Sequence, residues 1–156
     1  MTKKCYVFDL DGTLADLGHR LHHIDKLKRG DADWRAFFAA CGDDKLIEPV
    51  ALLYNTLRCS SYLSYSGCHM VILSGRSDEC REQTEAWLER HDLHHDALYM
   101  RRAGDHRPDH QLKKELLAQL LADGYEPILF VDDRERVVNM WREQGYTCLQ
   151  CAAGDF

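Results

Sequence analysis

Two aspartates separated by one residue, Asp9 and Asp11, have the type and spacing that most directly suggest chemistry in this sequence. They follow the apolar run Tyr6-Val7-Phe8 and precede Gly12-Thr13, which is the pattern of a buried strand ending in a tight loop. At the carboxyl end of a parallel strand, both carboxylates would project into the crevice where open α/β sheets bind ligands. Because Asp and Gly also favour ordinary turns, these residues alone leave a structural turn as an equal alternative.

Two later apolar runs also end in polar residues. The run at 69–73 is followed by Ser74-Gly75-Arg76, and the run at 128–131 is followed by Asp132-Asp133. Helical patterns separate the runs, and Lys113 falls in the predicted first turn of one helix. Strands that alternate with helices predict an α/β fold with a parallel, doubly wound sheet, in which these strand ends share one edge.

A site with three or four carboxylates predicts a bound cation. Carboxylates brought close together cannot all remain charged unless positive charge offsets them. Hard oxygen ligands suit Mg²⁺, which commonly takes one or two carboxylates together with a substrate phosphate. The joint pattern therefore indicates a divalent metal and a phosphate-bearing substrate.

These motifs, Asp9-Leu10-Asp11-Gly12-Thr13, Ser74, Lys113 and Asp132-Asp133, resemble in their order the four motifs of the haloacid-dehalogenase superfamily. The resemblance spans essentially the whole chain. It implies that Asp9 is a nucleophile forming an aspartyl-phosphate and that Asp11 is the general acid and base. It also implies Mg²⁺ bound by the Asp9 carboxylate, the Asp11 backbone carbonyl and Asp132 or Asp133. Ser74 and Lys113 would hold the phosphoryl oxygens.

A narrower resemblance concerns the phosphatase half of phage polynucleotide kinase-phosphatases. The C-terminal part, DDRERVVNMWREQGYTCLQCAAGDF, is similar to the end of that half, and Arg20 and Arg76 match two of its arginines. Asp109 matches a functional acid of the family, although a role as the N-cap of the following helix would also explain it. The sequence contains no G-x-x-x-x-G-K-[ST] phosphate loop, so the kinase half is not expected here.

The resemblance implies a Mg²⁺-dependent phosphomonoesterase that removes 3′-phosphates from polynucleotide ends or nucleotides. A nucleotidase, or another small-molecule phosphatase of the superfamily, is the enzymatic alternative. A phospho-acceptor module similar to a response-regulator receiver is an alternative of another class. The paired acid Asp11 argues against a receiver, because receivers lack a second acid two residues after the phospho-accepting aspartate.

We expect a single domain over residues 1–156, with residues 15–48 forming a small helical cap insertion. Asp33 is a predicted N-cap, and Trp34, Phe37, Phe38 and Cys41 then follow helical spacing up to Gly42. We expect the aromatic side chains to pack in the core, with stacking on a nucleobase as the alternative.

Charge and composition limit the partners. A net charge of −6 argues against extended binding of duplex nucleic acid, which needs a dominant basic face. A local basic group, Arg101, Arg102, Arg107, Lys113 and Lys114, could still attract phosphate, or could be a solvated loop. The apolar runs are only about strand length and the seven scattered cysteines suggest no disulfide framework. We therefore expect a cytoplasmic protein without a signal peptide or membrane span.

Overall fold

The computed structural model describes residues 2–25, 32–63 and 67–154. The strands are β1 (Lys3–Phe8), β2 (Ala15–Asp16), β3 (Lys45–Leu46), β4 (His69–Ser77), β5 (Ala97–Arg101), β6 (Tyr125–Arg134) and β7 (Cys148–Gly154). The α-helices are α1 (Trp34–Ala39), α2 (Glu48–Leu63), α3 (Arg81–Arg90), α4 (Asp109–Ala122) and α5 (Glu135–Glu143). Within these residues, no helix has both the length and the apolar character needed to cross a membrane.

Five strands form one parallel sheet in the order β5-β4-β1-β6-β7. Strand β1 is central, and the chain extends the sheet first through β4 and β5 and then on the other side through β6 and β7. The carboxyl ends of β1, β4 and β6 therefore lie side by side where the strand order reverses. This is the place where open α/β sheets bind ligands.

Helices cover both faces of the sheet. Neighbouring residues of a strand point to opposite faces, so Val7 packs with residues of α4 and α5 while Phe8 packs with residues of α2 and α3. The rings of Phe8 and Tyr54 from α2 meet edge to face, 5.0 Å apart. This arrangement confirms the predicted doubly wound α/β fold.

Two short paired strands, β2 and β3, lie near the two ends of the segment that connects β1 to α2. Strands β2 and β3 pair antiparallel, with Ala15 opposite Leu46. Between them lie a 3₁₀ helix (Gly18–His23), helix α1 and a second 3₁₀ helix (Ala40–Asp43). Residues 26–31 of the predicted 15–48 insertion lie outside the described residues, and its role as a cap stays a prediction.

Helix α1 begins as predicted. The Asp33 side chain caps it by accepting a hydrogen bond from the backbone N–H of Ala36 at 2.9 Å. The α-helix ends at Ala39, earlier than the predicted stop at Gly42, because the chain tightens into the 3₁₀ helix that follows.

Candidate active site

Strand register brings the predicted acids together at one edge. Phe8 pairs with Ile72 of β4 and with Val131 of β6, so the residues that follow these three reach the same level of the sheet. Oxygen atoms of Asp9, Asp132 and Asp133 lie within 4.8 Å of one another, and all three side chains are buried. We call these three residues the acidic cluster.

One ammonium group neutralises part of the acidic cluster. The fully buried Nζ of Lys113 lies 3.0 Å from Asp9 Oδ1 and 2.7 Å from Asp132 Oδ2. Lys113 is the fifth residue of α4 and therefore lies just beyond the first turn in which the sequence pattern placed it. Its two carboxylate partners are the compensating anions that a cation near a helix N-terminus needs.

The remaining negative charge fits a divalent cation. Burial raises the pKa of Asp9 well above its usual range, and Lys113 offsets only part of that rise. Burial, and then the neighbouring Asp132, raise the pKa of Asp133 to about 6. Asp133 accepts a hydrogen bond from Thr13 Oγ1 at 3.3 Å, and no lysine or arginine of the described residues forms a salt bridge with it. Buried oxygen ligands with too little positive charge are the chemistry of a hard metal site.

Gly12 lets the motif loop pass against the acidic cluster. Its φ is +82°, and a Cβ atom at this position would lie 2.2 Å from Asp133 Oδ2. Both the left-handed backbone and the missing side chain are therefore required here.

Asp11 turns away from the acidic cluster towards two arginines. Its Oδ1 accepts hydrogen bonds from Arg20 Nη2 at 2.6 Å and from Arg76 Nε at 2.8 Å. Burial by itself would raise the pKa of Asp11, but Arg76 and Arg20 outweigh it and lower the pKa. The structure thus brings Arg20 and Arg76 to the proposed acid and base. That the Asp11 backbone carbonyl binds metal stays a prediction.

Asp44 is a buried carboxylate at this site that the sequence did not reveal. It accepts hydrogen bonds from Arg20 Nε at 2.7 Å and from Arg76 Nη2 at 2.7 Å. The ring of His19 adds a contact at 2.8 Å, and Trp87 Nε1 donates to the Asp44 carbonyl at 2.8 Å. The sequence pattern holds no signal for this role, since Asp44 is one of two adjacent acids in an insertion.

Ser74 and Arg76 both lie in the last residues of β4 and are fully buried. The Ser74 hydroxyl oxygen accepts a hydrogen bond from the backbone N–H of Arg76 at 3.2 Å. Since Ile72 is the partner of Phe8, Ser74 lies near the level of Asp9 on the neighbouring strand. The structure therefore places Ser74 at the same edge as the acidic cluster.

Asp109 is not the N-cap of α4, and that prediction is wrong. Pro108 occupies the cap position without a side-chain hydrogen bond, and Asp109 is the first helical residue. Its carboxylate instead binds Arg101 Nη2 at 2.5 Å and Arg134 Nη1 at 2.7 Å. These two ion pairs outweigh capping, and Gly75 makes room because a Cβ there would lie 2.7 Å from Asp109 Oδ1.

A groove with a volume of about 850 Å³ opens from Asp9 and Asp11 to the surface. We call it the entrance groove. Its lining includes apolar and aromatic residues of the insertion, which we call the aromatic wall and which include Trp34, Phe37 and Phe38. It also includes residues 101, 102 and 104–109, which we call the basic wall. Phe37 is buried as expected, but Trp34 is 49% exposed, so the prediction of core packing is wrong for Trp34.

Ion pairs neutralise some members of the predicted basic group and leave others without a carboxylate partner among the described residues. Arg107 is bound to Asp105 and Glu115, at 2.6 and 2.7 Å, and Arg101 is bound to Asp109. No carboxylate of the described residues forms a salt bridge with the exposed Arg102. Within this group, the exposed Arg102 and Lys114 therefore form no salt bridge with the described residues, and of these two only Arg102 lines the entrance groove; Lys113 pairs with Asp9 and Asp132 of the acidic cluster.

Comparison with known proteins gives a family match over almost the whole chain. Residues 3–156 match the family model described as the polynucleotide kinase PNKP phosphatase domain. A putative bifunctional polynucleotide kinase/RNA ligase of Autographa californica nuclear polyhedrosis virus is 33% identical over 105 residues. That alignment covers 65% of this chain and 15% of the viral protein.

Solved structures agree with this match. Two chains from structures of the Pnkp1/Rnl/Hen1 complex, one of which is called an RNA repair complex, are 32% and 33% identical with TM-scores of 0.79 and 0.80. The alignments cover 99% of this chain but only 44% and 48% of those chains. A class C acid phosphatase from Bacillus anthracis with tungstate bound shares the fold, with a TM-score of 0.67 and 15% identity over 100% of this chain and 69% of that chain. The chain therefore belongs to the PNKP phosphatase-domain family, a family of phosphoric monoester hydrolases within the haloacid-dehalogenase superfamily.

Proposed function

We propose that this chain is a Mg²⁺-dependent phosphomonoesterase that removes 3′-phosphates from polynucleotide ends through an aspartyl-phosphate on Asp9. The observation that carries the proposal is the position of the acidic cluster beside an Asp11 held by two buried arginines, at the inner end of the entrance groove. Family membership supports the phosphatase chemistry. The relatives named as polynucleotide kinase or as part of an RNA repair complex support a nucleic-acid end as the substrate.

Asp9, Asp132 and Asp133 would hold Mg²⁺, together with the backbone carbonyl of Asp11. Asp133 is the better candidate for a direct ligand, because Lys113 already pairs with Asp132 and no lysine or arginine in the described part of the chain forms a salt bridge with Asp133. When bound, the ion would supply positive charge against the carboxylates and the phosphoryl oxygens.

Asp9 and Asp11 would share the bond-making and proton-transfer steps. An oxygen of the Asp9 carboxylate attacks phosphorus, the bond from phosphorus to the ester oxygen breaks, and Asp11 donates a proton to that oxygen. A water molecule then attacks the phosphorus of the aspartyl-phosphate, and Asp11 takes its proton. Inorganic phosphate leaves and the Asp9 carboxylate is restored.

The arginines around Asp11 link substrate binding to its protonation. Without substrate, Arg20 and Arg76 hold Asp11 as a carboxylate. A phosphoryl dianion in the site would compete for the same guanidinium groups, because Arg forms bidentate bonds with phosphate. The withdrawal of these bonds would raise the affinity of Asp11 for the proton that it must donate. Ser74 and Lys113 would hold the other phosphoryl oxygens.

A substrate panel tests the proposal. Phosphate release is measured from a 3′-phosphorylated oligonucleotide, its 5′-phosphorylated counterpart and nucleoside 3′- and 5′-monophosphates, as DNA and RNA, with MgCl₂ or with EDTA. We expect the fastest turnover for the 3′-phosphorylated strand, dependent on Mg²⁺ and lost in Asp9→Asn, the matched control for contaminating phosphatases. Turnover of free nucleotides without any turnover of the 3′-phosphorylated strand would instead establish a nucleotidase.

A further inference from the structure

The entrance groove is much larger than a phosphate group needs. Its volume of about 850 Å³ lies in the range of pockets that enclose a whole small-molecule ligand, roughly 300–1,000 Å³. The groove therefore has room for the group attached to the phosphate, beside the aromatic wall and the basic wall that line it.

The aromatic wall presents one supported, open ring. Trp34 lies against Phe38 with the rings 30° apart and 6.0 Å between centroids, and it meets the edge of Phe37 at 5.7 Å. The Asp33 cap fixes the first turn of α1, to which Trp34 belongs. The indole is therefore held in place by its neighbours while 49% of the residue stays exposed. Such a ring is a suitable platform for stacking of a nucleobase.

Contacts connect the Trp34 ring to Arg20, one of the two arginines that we propose to bind the phosphate. The Phe37 ring contacts Trp34 edge to face, and the Arg20 guanidinium lies over the same Phe37 ring, 4.2 Å from its centroid. Arg20 in turn donates to Asp11 at 2.6 Å. A nucleotide whose phosphate lies at Arg20 would thus have an aromatic surface in reach of its base.

The basic wall offers positive charge that suits the phosphates of a strand. The exposed Arg102 lines the groove without a carboxylate partner among the described residues, whereas its neighbours Arg101 and Arg107 are neutralised by ion pairs. A guanidinium without a salt bridge to the described residues and an aromatic ring in one groove suit the alternating anionic and planar groups of a nucleic-acid strand.

We propose that the entrance groove binds the terminal nucleotide of a strand, with its base stacked on Trp34 and the next phosphodiester at Arg102. This inference rests on the proposed function and extends it from the phosphate to the strand. It commits to recognition of a base without regard to its identity, because every base has a face that can stack.

The Trp34 part is tested with two 3′-phosphorylated oligonucleotides that differ only in whether the terminal nucleotide carries a base. We expect Trp34→Ala to lower kcat/KM for the complete oligonucleotide by about 5- to 150-fold, the effect of one lost stacking interaction. The abasic substrate should lose less than about 2-fold, and Trp34→Phe should retain most activity on both. Leu52→Ala removes an even more exposed apolar side chain, outside the groove, and is the matched control. Equal losses on both substrates would refute the base contact.

The Arg102 part is tested by salt dependence. We expect Arg102→Gln to reduce the slope of log kcat/KM against log salt by about one for a strand and to leave the slope for a nucleoside 3′-monophosphate unchanged, since only the strand has a second phosphate. Arg136→Gln, which alters an exposed arginine of α5 outside the groove, is the matched control. An unchanged slope on the strand would overturn the phosphodiester contact.

Different results would refute the proposed 3′-phosphatase function and the proposed binding of the terminal nucleotide in the entrance groove. If the unaltered protein hydrolyses p-nitrophenyl phosphate but not the 3′-phosphorylated strand, the proposed function is wrong. If it hydrolyses the strand and neither Trp34→Ala nor Arg102→Gln shows the substrate-dependent losses above, only the groove assignment is wrong.

Discussion

Replacing Asp44 by asparagine should weaken both the fold and the catalysis, because one buried carboxylate positions two buried arginines. Arg20 and Arg76 have no exposed surface and share two carboxylates, those of Asp11 and Asp44. Asp44 accepts three guanidinium hydrogen bonds of 2.7, 2.8 and 2.7 Å. In Asp44→Asn, two buried cations would depend on a single anion.

The size of the effect follows from this geometry. Removal of one partner of a buried ion pair costs about 3–5 kcal/mol, and we expect the lower end because the amide oxygen can still accept one of the bonds. Domains of this kind have a free energy of unfolding of about 5–15 kcal/mol, so the variant should still fold. Displacement of Arg20 or Arg76 by about 1 Å should lower kcat/KM by about 100-fold.

Urea unfolding and steady-state hydrolysis of p-nitrophenyl phosphate measure the two effects. We expect the urea midpoint to fall by about 1–3 M, given typical denaturant slopes. Asp43→Asn is the matched control, because the adjacent Asp43 is exposed and its substitution should change stability by less than about 0.5 kcal/mol. Stability and kcat/KM equal to those of the unaltered protein would refute the positioning role of Asp44.

Three further substitutions test the acidic cluster and its neighbours. Asp11→Asn should lower the rate by about 10²–10⁴-fold in a phosphate-release assay, and hydrolysis at the normal rate would contradict its acid and base role. Gly12→Ala should abolish Mg²⁺-dependent turnover, because the added Cβ would lie 2.2 Å from Asp133 Oδ2. Gly145→Ala is the control, since Gly145 has a similar φ of +86° and open space around it. This control should lose only about 1–2 kcal/mol of stability through backbone strain and should keep its activity. Lys113→Ala should slow turnover greatly, and it would leave the buried carboxylates of Asp9 and Asp132 without their cation. Bound Mg²⁺ would then stabilise the variant more than the unaltered protein, so MgCl₂ should raise the Tm of the variant by the larger amount. An equal rise in both proteins would argue against a shared cation site.

The pattern of apolar runs ending in polar residues was enough to predict the sheet and the acidic edge. A strand end is a local feature of the sequence, and parallel strands of one sheet bring all their carboxyl ends to the same edge. The sequence alone therefore predicts that Asp9, Ser74, Asp132 and Asp133 lie together, and the register of Phe8 with Ile72 and Val131 confirms that they share one edge of the sheet.

The partners of the charged side chains were decided only by the tertiary structure. Asp44 lies 24 residues from Arg20 and 32 from Arg76, and nothing in the local sequence marks it as their shared anion. Asp109 had a plausible local role as a helix cap, but two arginines brought near it by folding bind its carboxylate instead. Ion pairs form between groups that the fold brings close, and sequence spacing does not encode that proximity.

For the aromatic residues too, the sequence predicted the local helix, whereas the tertiary structure decided which rings are buried. Helical spacing correctly predicted α1 and its Asp33 cap, since both depend on residues within one or two turns. Whether each aromatic ring faces the core or the solvent depends on how α1 lies against the rest of the domain, so Phe37 became buried under Arg20 while Trp34 faces the entrance groove. The sequence by itself determined which residues meet at the candidate catalytic edge, because strand ends are local features and parallel strands bring them to one edge. The tertiary structure alone decided what surrounds that edge, because burial and ion pairing depend on contacts between distant segments.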